Sequence, residues 1–198
     1  MIRPMTEQDV NTVVALHVAA FPTFFLTFLG PRFLKIFYAA LVRDAGNIAF
    51  VACEENGTLC GFVAGVTQQA NFYGRLARSR KWSLAFASAG AVLRKPSIIP
   101  RLFRAMRRPE EARESSTDAC LMSIGVSRAG RGRGVGSELV DAFAGEVRRR
   151  GIDRFCLTTD KIANEGVNAF YVNAGFSLAR TYTTPEGRVM NEYLMRLT

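Results

Sequence analysis

The sequence predicts a mixed α/β fold in a single domain. Short apolar runs of strand length alternate with stretches whose apolar residues recur at helical spacing. A glycine-rich loop stands between one such strand and one such helix. The length of 198 residues and a hydrophobic content of 48% suit one domain with a real core, over residues 1–198.

The N-terminal part predicts two helices. Residues 6–9 offer a capping box, and apolar residues at helical spacing follow from Val10 onward. An aromatic connector over residues 21–29 leads to Pro31, which begins the second helix. His17 lies on the apolar face of the first helix, which favours a hydrogen-bonded core histidine over a catalytic one.

Turn residues mark the boundaries of the later elements. Asn56 and Gly57 predict a hairpin turn between two apolar runs. The helix after the glycine loop is expected to end at Gly151, and a short helix begins at Asn164 and stops at Gly175. The predicted strands cover residues 48–54, 59–67, 119–126, 154–159, 176–183 and 189–197.

Residues 68–115 are predicted to form a basic insertion between the third and fourth strands. Eleven basic and three acidic side chains give this segment +8 of the net charge of +9. Interleaved apolar residues and prolines predict two short amphipathic helices. They could be the solvated face of a lid over the core, or a surface for an anionic membrane or an acidic partner. Nucleic acid is not expected, since the segment contains no recognisable reader motif.

Composition argues against a metal site, disulfides and a membrane span. The four cysteines form no C-x-x-C pair and lie in strand-like runs, so buried, reduced thiols are expected. With one histidine in the chain, no metal site is expected. No stretch reaches the roughly 18 apolar residues of a spanning helix. The N-terminus has no apolar signal region, so we expect a cytoplasmic protein.

Glycines recur at every second position from Gly130 to Gly136, between a strand and an amphipathic helix. A polyphosphate needs several backbone N–H groups directed at one point, with the positive end of a helix dipole behind them. Glycines let the backbone approach closely. The loop lacks the ending of a Walker loop and the spacing of a dinucleotide fingerprint. It therefore predicts a pyrophosphate site, and the regular helix from Leu139 argues against an Arg-Gly-rich linker.

With Arg131, Gly134 and Gly136 in the pattern R/Q-x-x-G-x-G/A, the chain resembles the Gcn5-related N-acetyltransferase (GNAT) family. Residues 2–9 and 164–176 look like further landmarks of that family. The resemblance covers nearly the whole chain apart from the insertion. It implies a mixed, mostly antiparallel central sheet flanked by helices, and acetyl-CoA as the co-substrate.

The resemblance also implies roles for individual positions. The backbone at the end of the fourth strand would pair with the pantetheine arm, and one amide would polarise the thioester carbonyl. The N–H groups of residues 132–137 would hold the pyrophosphate, and Asn164 would bond the pantetheine. Tyr171 would protonate the departing thiolate, with aromatic packing as its alternative role. The residues expected to bind the coenzyme are Ile124, Gly125, Val126, Arg131, Gly132, Arg133, Gly134, Val135, Gly136, Ser137 and Asn164.

Two carboxylates of the family pattern are missing. Ribosomal-protein N-terminal acetyltransferases carry a glutamate at the position of Thr159, and histone-type lysine acetyltransferases carry one at the position of Cys120. Asp160 follows Thr159 directly, and a shift of one residue along a strand directs a side chain to the opposite face. The missing carboxylates leave a water-mediated base and an acceptor amine of low pKa as the open alternatives.

Two functions follow as hypotheses. The leading one is transfer of an acyl group, acetyl by preference, from acyl-CoA to the primary amine of a small molecule, which residues 21–29 and the insertion would contact. The alternative is a non-catalytic acyl-CoA-binding or regulatory module, motivated by the missing carboxylates. The sequence leaves a homodimer open.

Overall fold

The computed structural model describes residues 1–68 and 119–197, and between them residues 72, 74–76, 83, 84, 86–88 and 117. The two amphipathic helices predicted within residues 68–115 therefore lie largely outside the described residues. The elements in the described ranges are β1 (Ile2–Pro4), α1 (Val10–Ala20), α2 (Phe25–Leu29), α3 (Pro31–Arg43), β2 (Asn47–Cys53), β3 (Leu59–Val66), β4 (Cys120–Val126), α4 (Val135–Arg149), β5 (Arg154–Asp160), α5 (Glu165–Asn173), β6 (Ser177–Thr183) and β7 (Val189–Arg196).

The strands form one seven-stranded sheet in the order β1-β2-β3-β4-β5-β7-β6. All neighbours are antiparallel except β4 and β5, which confirms the mixed, mostly antiparallel sheet. The six predicted strands are present, each within one residue at either end. Two hairpin turns contain a glycine with positive φ, Gly57 at +81° and Gly187 at +82°, a conformation that favours glycine.

Helices cover both faces of the sheet and divide the core into two clusters. On one face, α1 and α3 bury Val13, Leu34 and Phe37 against the sheet. On the other face, α4 buries Leu139 and Phe143, beside residues of α5. Successive β5 residues alternate between the two clusters, as the pleat of a strand requires. The four cysteines are buried and none forms a disulfide, as the sequence predicted.

A partly buried ion pair fixes the start of the chain against α1. Asp9 accepts hydrogen bonds from both terminal nitrogens of Arg3, each at 2.7 Å, and from the backbone N–H of Thr6 at 2.8 Å. These bonds, led by those from Arg3, lower the pKa of Asp9 to about 2. The capping box predicted over residues 6–9 is present. The sequence landmark over residues 2–9 is therefore held together by the Arg3–Asp9 ion pair.

The C-terminal end of α4 is marked by Gly151, as the sequence indicated, and is anchored by Arg150. Gly151 has a φ of +74°, the left-handed conformation common just after a helix. Arg150 bonds to Glu146 one turn earlier and donates to the carbonyl oxygens of Ala45 and Asn47 before and at the start of β2. Arg150 therefore stabilises the helix end and also ties it to the sheet.

One local difference concerns the aromatic connector. Sequence patterning predicted a connector over residues 21–29, whereas the structure places the short helix α2 within it. The Thr27 hydroxyl donates to the carbonyl oxygen of Phe21 at 2.6 Å, which closes this segment on itself. The boundaries of one domain over residues 1–198 and of an insertion over residues 68–115 stay predictions.

Candidate functional site

A cleft of about 810 Å³ opens where β4 and β5 separate. The two strands share one ladder pair in the described residues, Cys120 with Cys156, and then diverge. The cleft is bordered by the second half of β4, the end of β5, the glycine loop, the start of α5 and the α1–α2 region. Its size is in the range of small-molecule sites, roughly 300–1,000 Å³.

A β-bulge marks the point at which β4 enters the cleft. Ala64 of β3 pairs with Ser123, whereas Gly65 pairs with Leu121, so Met122 is an extra residue on β4. Bulges increase the local twist of a strand and re-aim its backbone. The expected pantetheine-binding residues Ile124, Gly125 and Val126 all follow the bulge and line the cleft. Their strand edge faces the gap left by β5, which suits an extended ligand that bonds to the backbone.

The glycine loop presents a run of unbonded backbone N–H groups. The first bond of α4 is from the N–H of Glu138 to the carbonyl oxygen of Gly134, at 3.1 Å. None of the N–H groups of residues 132–137 has a hydrogen-bond acceptor in the described part of the chain. Gly132 and Gly134 have φ values of +73° and +81°, which bend the loop around this point. A run of such groups at a helix N-terminus is a site for an anion.

The structure brings together most of the predicted loop residues but separates one of them. Arg131, Gly132, Gly134, Val135, Gly136 and Ser137 line the cleft. Arg133 lies away from it, because its side chain pairs with Glu54 at 3.4 Å and borders a second cavity. Only its backbone can take part in the predicted pyrophosphate site. Its side chain is therefore not part of the arrangement.

Gly136 has a role that its place in the motif did not reveal. A Cβ atom at this position would lie 3.2 Å from the ring of Phe170 on α5, closer than most such contacts. Phe170 also lines the cleft. The absence of a side chain at Gly136 therefore lets the start of α4 approach α5.

Tyr171 lies in the wall of the cleft and is 7% exposed. Its ring contacts Phe170, Phe176 and Tyr193, with centroid separations of 5.3 to 6.1 Å. Burial raises the pKa of its phenol above the ordinary value, and Cys120 contributes in the same direction. The hydroxyl therefore carries its proton at neutral pH. The structure supports the packing role and also leaves the proton-donor role available.

A family model for the acetyltransferase (GNAT) family matches residues 11–176. This chain belongs to the GNAT acetyltransferase family. Acetyl-CoA is the co-substrate of that family, and the unbonded N–H run of the loop fits its pyrophosphate group. The gap beside β4 fits its extended pantetheine arm.

Solved structures with the same fold extend over the full length of this GNAT chain. A protein of Desulfovibrio desulfuricans assigned to the GNAT acetyltransferases is 15% identical, with a TM-score of 0.65, covering 100% of this chain and 99% of that one. The ribosomal-protein-alanine N-acetyltransferase of Brucella melitensis is 18% identical, with a TM-score of 0.64 and coverages of 100% and 99%. Aminoglycoside 6′-acetyltransferase type Ii is 14% identical, with a TM-score of 0.64 and coverages of 100% and 97%. No curated protein matches the chain.

Asn164 of this GNAT chain lies at the start of α5 and lines the cleft. It occupies the predicted N-cap position, but its side chain does not cap the helix. Instead its amide nitrogen donates to the Thr159 hydroxyl and to the Asp160 carbonyl oxygen, both at 2.9 Å. These two bonds use only the nitrogen of the Asn164 side chain, so its amide oxygen is available to accept a hydrogen bond from a ligand. The preceding residue, Ala163, has a φ of +53°, which is uncommon outside glycine.

Thr159 and Cys120 stand at the two positions where the sequence comparison expected a carboxylate. Thr159 lines the cleft and is bonded to Asn164, while Cys120 is buried at the junction of β4 and β5. Asp160 forms a two-pronged ion pair with Arg188, with shortest contact 2.6 Å, and is not among the residues that line the cleft. No group of three or more potential metal ligands occurs in the described residues.

The sequence predicted the burial of His17 but not its position beside the cleft. It is buried, as predicted, and its Nδ1 atom lies 2.7 Å from the Tyr38 hydroxyl. Its Nε2 atom, however, is the one buried side-chain nitrogen or oxygen in the described residues with no hydrogen-bond partner. The predicted core histidine is therefore buried and hydrogen bonded through Nδ1, whereas its Nε2 atom departs from the prediction. The ring also lines the cleft, which the spacing of α1 alone did not indicate.

The end of the cleft formed by the α1–α2 region is apolar and largely aromatic. Phe21, Phe24 and Leu26, all within the connector that was expected to contact the acceptor, line it. Arg188 lies over the Phe24 ring, 5.7 Å from its centroid.

Among the helices that the structure describes, none is long and apolar enough to cross a membrane.

Proposed function

We propose that this chain is an acyl-CoA-dependent N-acyltransferase that transfers acetyl from acetyl-CoA to the primary amine of a small molecule. One observation carries the proposal: the N–H groups of residues 132–137 have no acceptor in the described part of the chain, and five of these six residues line the cleft beside the gap between β4 and β5. This arrangement matches a ligand with an anionic end and an extended amide-containing arm. We also propose that the protein acts in the cytoplasm.

The donor half of the reaction follows from the backbone. The N–H groups of residues 132–137 bind the pyrophosphate, aided by the dipole of α4 and by Arg131. Residues 124–126 pair with the pantetheine arm, and one of their amides holds the thioester carbonyl where negative charge develops. Asn164 offers its amide oxygen to the same arm. Acetyl-CoA supplies the activated acetyl group.

The chemical step needs a direct attack by a neutral amine on the thioester carbonyl. The carbon–sulfur bond breaks with its electron pair on the sulfur, which takes the phenolic proton of Tyr171 and leaves as the thiol. The proton that the amine nitrogen loses passes to water in the cleft, from which Tyr171 regains one. Phe21, Phe24 and Leu26 bind the apolar part of the acceptor. The known fold accommodates small and protein acceptors, since an aminoglycoside acetyltransferase and a ribosomal-protein acetyltransferase share it. The absence of a carboxylate at Thr159 favours a small acceptor here.

Replacement of Tyr171 by phenylalanine tests the proton donor. Tyr171→Phe is expected to lower kcat by roughly 100-fold, because general acids contribute about 10²–10⁴-fold. The Kd for acetyl-CoA, measured by calorimetry, should stay within about twofold, since the wild-type ring packing is retained. Turnover is measured as thiol release with a panel of primary amines.

A matched control is Tyr193→Phe. Tyr193 is also buried and contacts the Tyr171 ring, but its hydroxyl donates to Asn168 and it is not among the residues lining the cleft. Its variant should keep kcat within about threefold. Unchanged turnover in Tyr171→Phe would remove Tyr171 from the proposed role.

The second candidate function is a non-catalytic acyl-CoA-binding module. It is favoured by Thr159 and Cys120 standing where related enzymes have carboxylates. Tight binding of acetyl-CoA without thiol release across the amine panel would support this candidate against the first. Docking of residues 68–115 to an anionic membrane or an acidic partner is compatible with both, and sedimentation with anionic and neutral liposomes tests it.

A further inference from the structure

The ion pair of Asp160 and Arg188 is not used by the proposed chemistry, although it lies beside the cleft. Arg188 donates from Nε to Oδ1 of Asp160 at 3.0 Å, and from a terminal nitrogen to both carboxylate oxygens at 2.8 and 2.6 Å. Charge-assisted bonds of this two-pronged kind fix the plane of a guanidinium as well as its position. The two side chains are 28% and 36% exposed, so water competes with the pair only in part.

The register of the sheet explains why these two side chains meet. Asp160 is the last residue of β5 and pairs with Met190 of β7. Arg188 is two residues before Met190, and diagonal neighbours in an antiparallel pair lie on one face of the sheet. Asp160 also has the same parity along β5 as Cys156, whose side chain belongs to the core cluster under α1 and α3. The ion pair therefore lies on the face of the sheet that carries the α1–α2 region.

The hairpin turn between β6 and β7 fixes the backbone of Arg188. Its N–H donates to the Thr184 hydroxyl at 3.3 Å, and its carbonyl oxygen accepts from the N–H of Thr184 at 2.8 Å. The Gly187 N–H donates to the Thr184 carbonyl oxygen, also at 2.8 Å. The Arg188 side chain is therefore held at both ends, by the turn at its base and by Asp160 at its guanidinium.

Arg188 in turn contacts the wall of the cleft. Its guanidinium carbon lies 5.7 Å from the centroid of the Phe24 ring, within the range of a cation–π contact. The Phe21 ring is a second neighbour of Phe24, with a centroid separation of 5.0 Å. Phe24 is 39% exposed and lines the cleft, whereas Arg188 is not among the lining residues. Arg188 and Phe21 together hold this partly exposed ring in the cleft wall.

Asp160 connects this wall to the start of α5 as well. Its backbone carbonyl oxygen accepts from the side-chain amides of Asn164 and Asn168, at 2.9 and 3.0 Å. Asn164 lines the cleft where the pantetheine arm is proposed to bind. Asp160 is thus bonded to the donor side through its backbone and to the α1–α2 end through its carboxylate. A change of its side chain weakens the second connection and leaves the first in place.

We propose that Asp160 and Arg188 are positioning residues that hold Phe24 as an acceptor-binding wall, and so favour a primary amine attached to an aromatic or alkyl group. This inference rests on the proposed function and names its acceptor class. Phe21 and Leu26 line the same end of the cleft and present further apolar surface to that group. When the contact with Arg188 is lost, the Phe24 ring populates other rotamers. Acceptor affinity then falls with the fraction of protein whose ring is still in the binding position.

Nuclear magnetic resonance tests the contact in the absence of any acceptor. The Nε–Hε resonance of Arg188 is assigned by its loss in Arg188→Lys. It is expected to move in Phe24→Leu, because the ring current of Phe24 no longer acts on it, and to exchange faster with water in Asp160→Asn. Phe28→Leu is the control, since Phe28 is one helical turn from Phe24, is 36% exposed and is not among the lining residues. An Arg188 resonance that does not change in Phe24→Leu would overturn the inference.

Calorimetry with CoA-saturated protein tests the effect on the acceptor, with phenethylamine as the probe. Asp160→Asn and Arg188→Gln are each expected to raise its Kd about three- to tenfold, which is what the loss of a partly desolvated cation–π contact corresponds to. Arg188→Lys should lie between wild type and Arg188→Gln, because an ammonium keeps the charge near the ring but lacks the two-pronged pair. The Kd for acetyl-CoA should stay within about twofold in each variant, since the Asp160 carbonyl oxygen still accepts from Asn164.

A merely structural role would affect every acceptor alike. In Asp160→Asn, kcat/KM for phenethylamine should fall about three- to tenfold, whereas that for methylamine, which has no apolar group of comparable size, should stay within about twofold. Glu7→Gln is the matched control for the lost ion pair and should change neither value. Glu7 accepts two bonds from Arg43, at 2.8 and 2.6 Å, and neither residue is among those that line the cleft. Equal losses for the two amines would assign Asp160 a structural role only and overturn the inference.

The two proposals fail in distinguishable ways. Wild-type protein that binds acetyl-CoA but acetylates no amine contradicts the proposed function, and the Kd of phenethylamine then still measures whether Arg188 positions Phe24. Active wild-type protein that does not bind phenethylamine contradicts the inference alone. Should Arg188→Gln fail to fold, Asp160→Asn preserves the size of the side chain and decides the outcome.

Discussion

Burial sets the protonation state of the ionisable side chains around the cleft. It raises the pKa of Tyr171 and lowers that of His17, so both are neutral at physiological pH. Asp9, equally buried, behaves in the opposite way because Arg3 pairs with it. An apolar environment favours the uncharged form only where no partner stabilises the charge.

Asp9 is expected to make the stability of the fold depend on pH. Its pKa is about 2 in the folded chain and near 3.9 in an unfolded one, so its charge stabilises the fold above the unfolded value. The contribution is lost as pH falls from about 4 to about 2. Asp9→Asn should lower the free energy of unfolding by about 2 kcal/mol at pH 7 and have little effect near pH 2. Urea unfolding at both pH values measures this.

The control for this prediction is Asp153→Asn. The Asp153 side chain is 83% exposed and its nearest cation, Arg154, is 3.8 Å away. Its substitution should change the unfolding free energy by less than about 0.5 kcal/mol. An Asp9→Asn effect that stays constant across the pH range would argue for packing instead of charge.

At the residue scale, the sequence predicted that His17 lies on a buried helix face, but it could not identify the side chains that His17 contacts. Helical spacing fixes which residues of α1 point inward. The contacts with Tyr38 on α3 and the position beside β4 depend on how separate elements pack. No pattern in a single helix records that one ring nitrogen lacks a partner.

At the scale of elements, the glycine loop and the start of α4 act together. Two glycines with positive φ, Gly132 and Gly134, turn the chain directly ahead of the helix, where the N–H groups have no acceptor among the described residues. The same turn directs the side chains of Arg131 and Arg133 to different places, one to the cleft and one to Glu54. The motif predicted the backbone arrangement but not this separation, because side-chain direction in a loop has no fixed period.

This separation provides a matched pair of variants in one loop. Arg131→Ala is expected to raise the Kd for acetyl-CoA about tenfold, because charge-assisted hydrogen bonds contribute about 1.5–3 kcal/mol. Arg133→Ala should leave the Kd within about twofold, since its side chain is engaged by Glu54. Calorimetric titration at one ionic strength compares them. Equal losses in both variants would indicate general electrostatic attraction and no defined contact.

At the scale of the whole molecule, small residues in the sheet permit its curvature and its close layers. A Cβ atom at Gly65 would contact the Cys120 carbonyl oxygen and would approach the Phe143 ring to 2.6 Å. Gly65 lies on β3 opposite the bulge that leads β4 into the cleft. The strand pattern predicted β3 and β4, but neither the bulge nor the register shift could be seen in it.

Gly65→Ala is therefore expected to destabilise the fold by about 3 kcal/mol, because overpacking that moves backbone costs at the upper end of the usual range. Gly145→Ala is the control, and it is expected to raise the free energy of unfolding instead of lowering it. A Cβ at this position, inside α4, would meet nothing within 4 Å, so the variant should gain about 0.5–1 kcal/mol of helix propensity. Thermal and urea unfolding of both variants measure the difference. A tolerated Gly65→Ala would show that β3 and β4 can separate locally.

Among the described residues, β4 and β5 share a single ladder pair, Cys120 with Cys156, and this has a consequence for the cooperativity of unfolding. It leaves β1–β4 and the trio β5, β7 and β6 as two blocks of antiparallel strands with few direct hydrogen bonds between them. Their amides should show two distinct opening free energies in native-state hydrogen exchange. A coenzyme bonded along β4 and held by α5, as proposed above, would bridge the blocks, and at 100 times its Kd would add about 2.7 kcal/mol to the folded state. Substrate occupancy would then bring the two exchange profiles together.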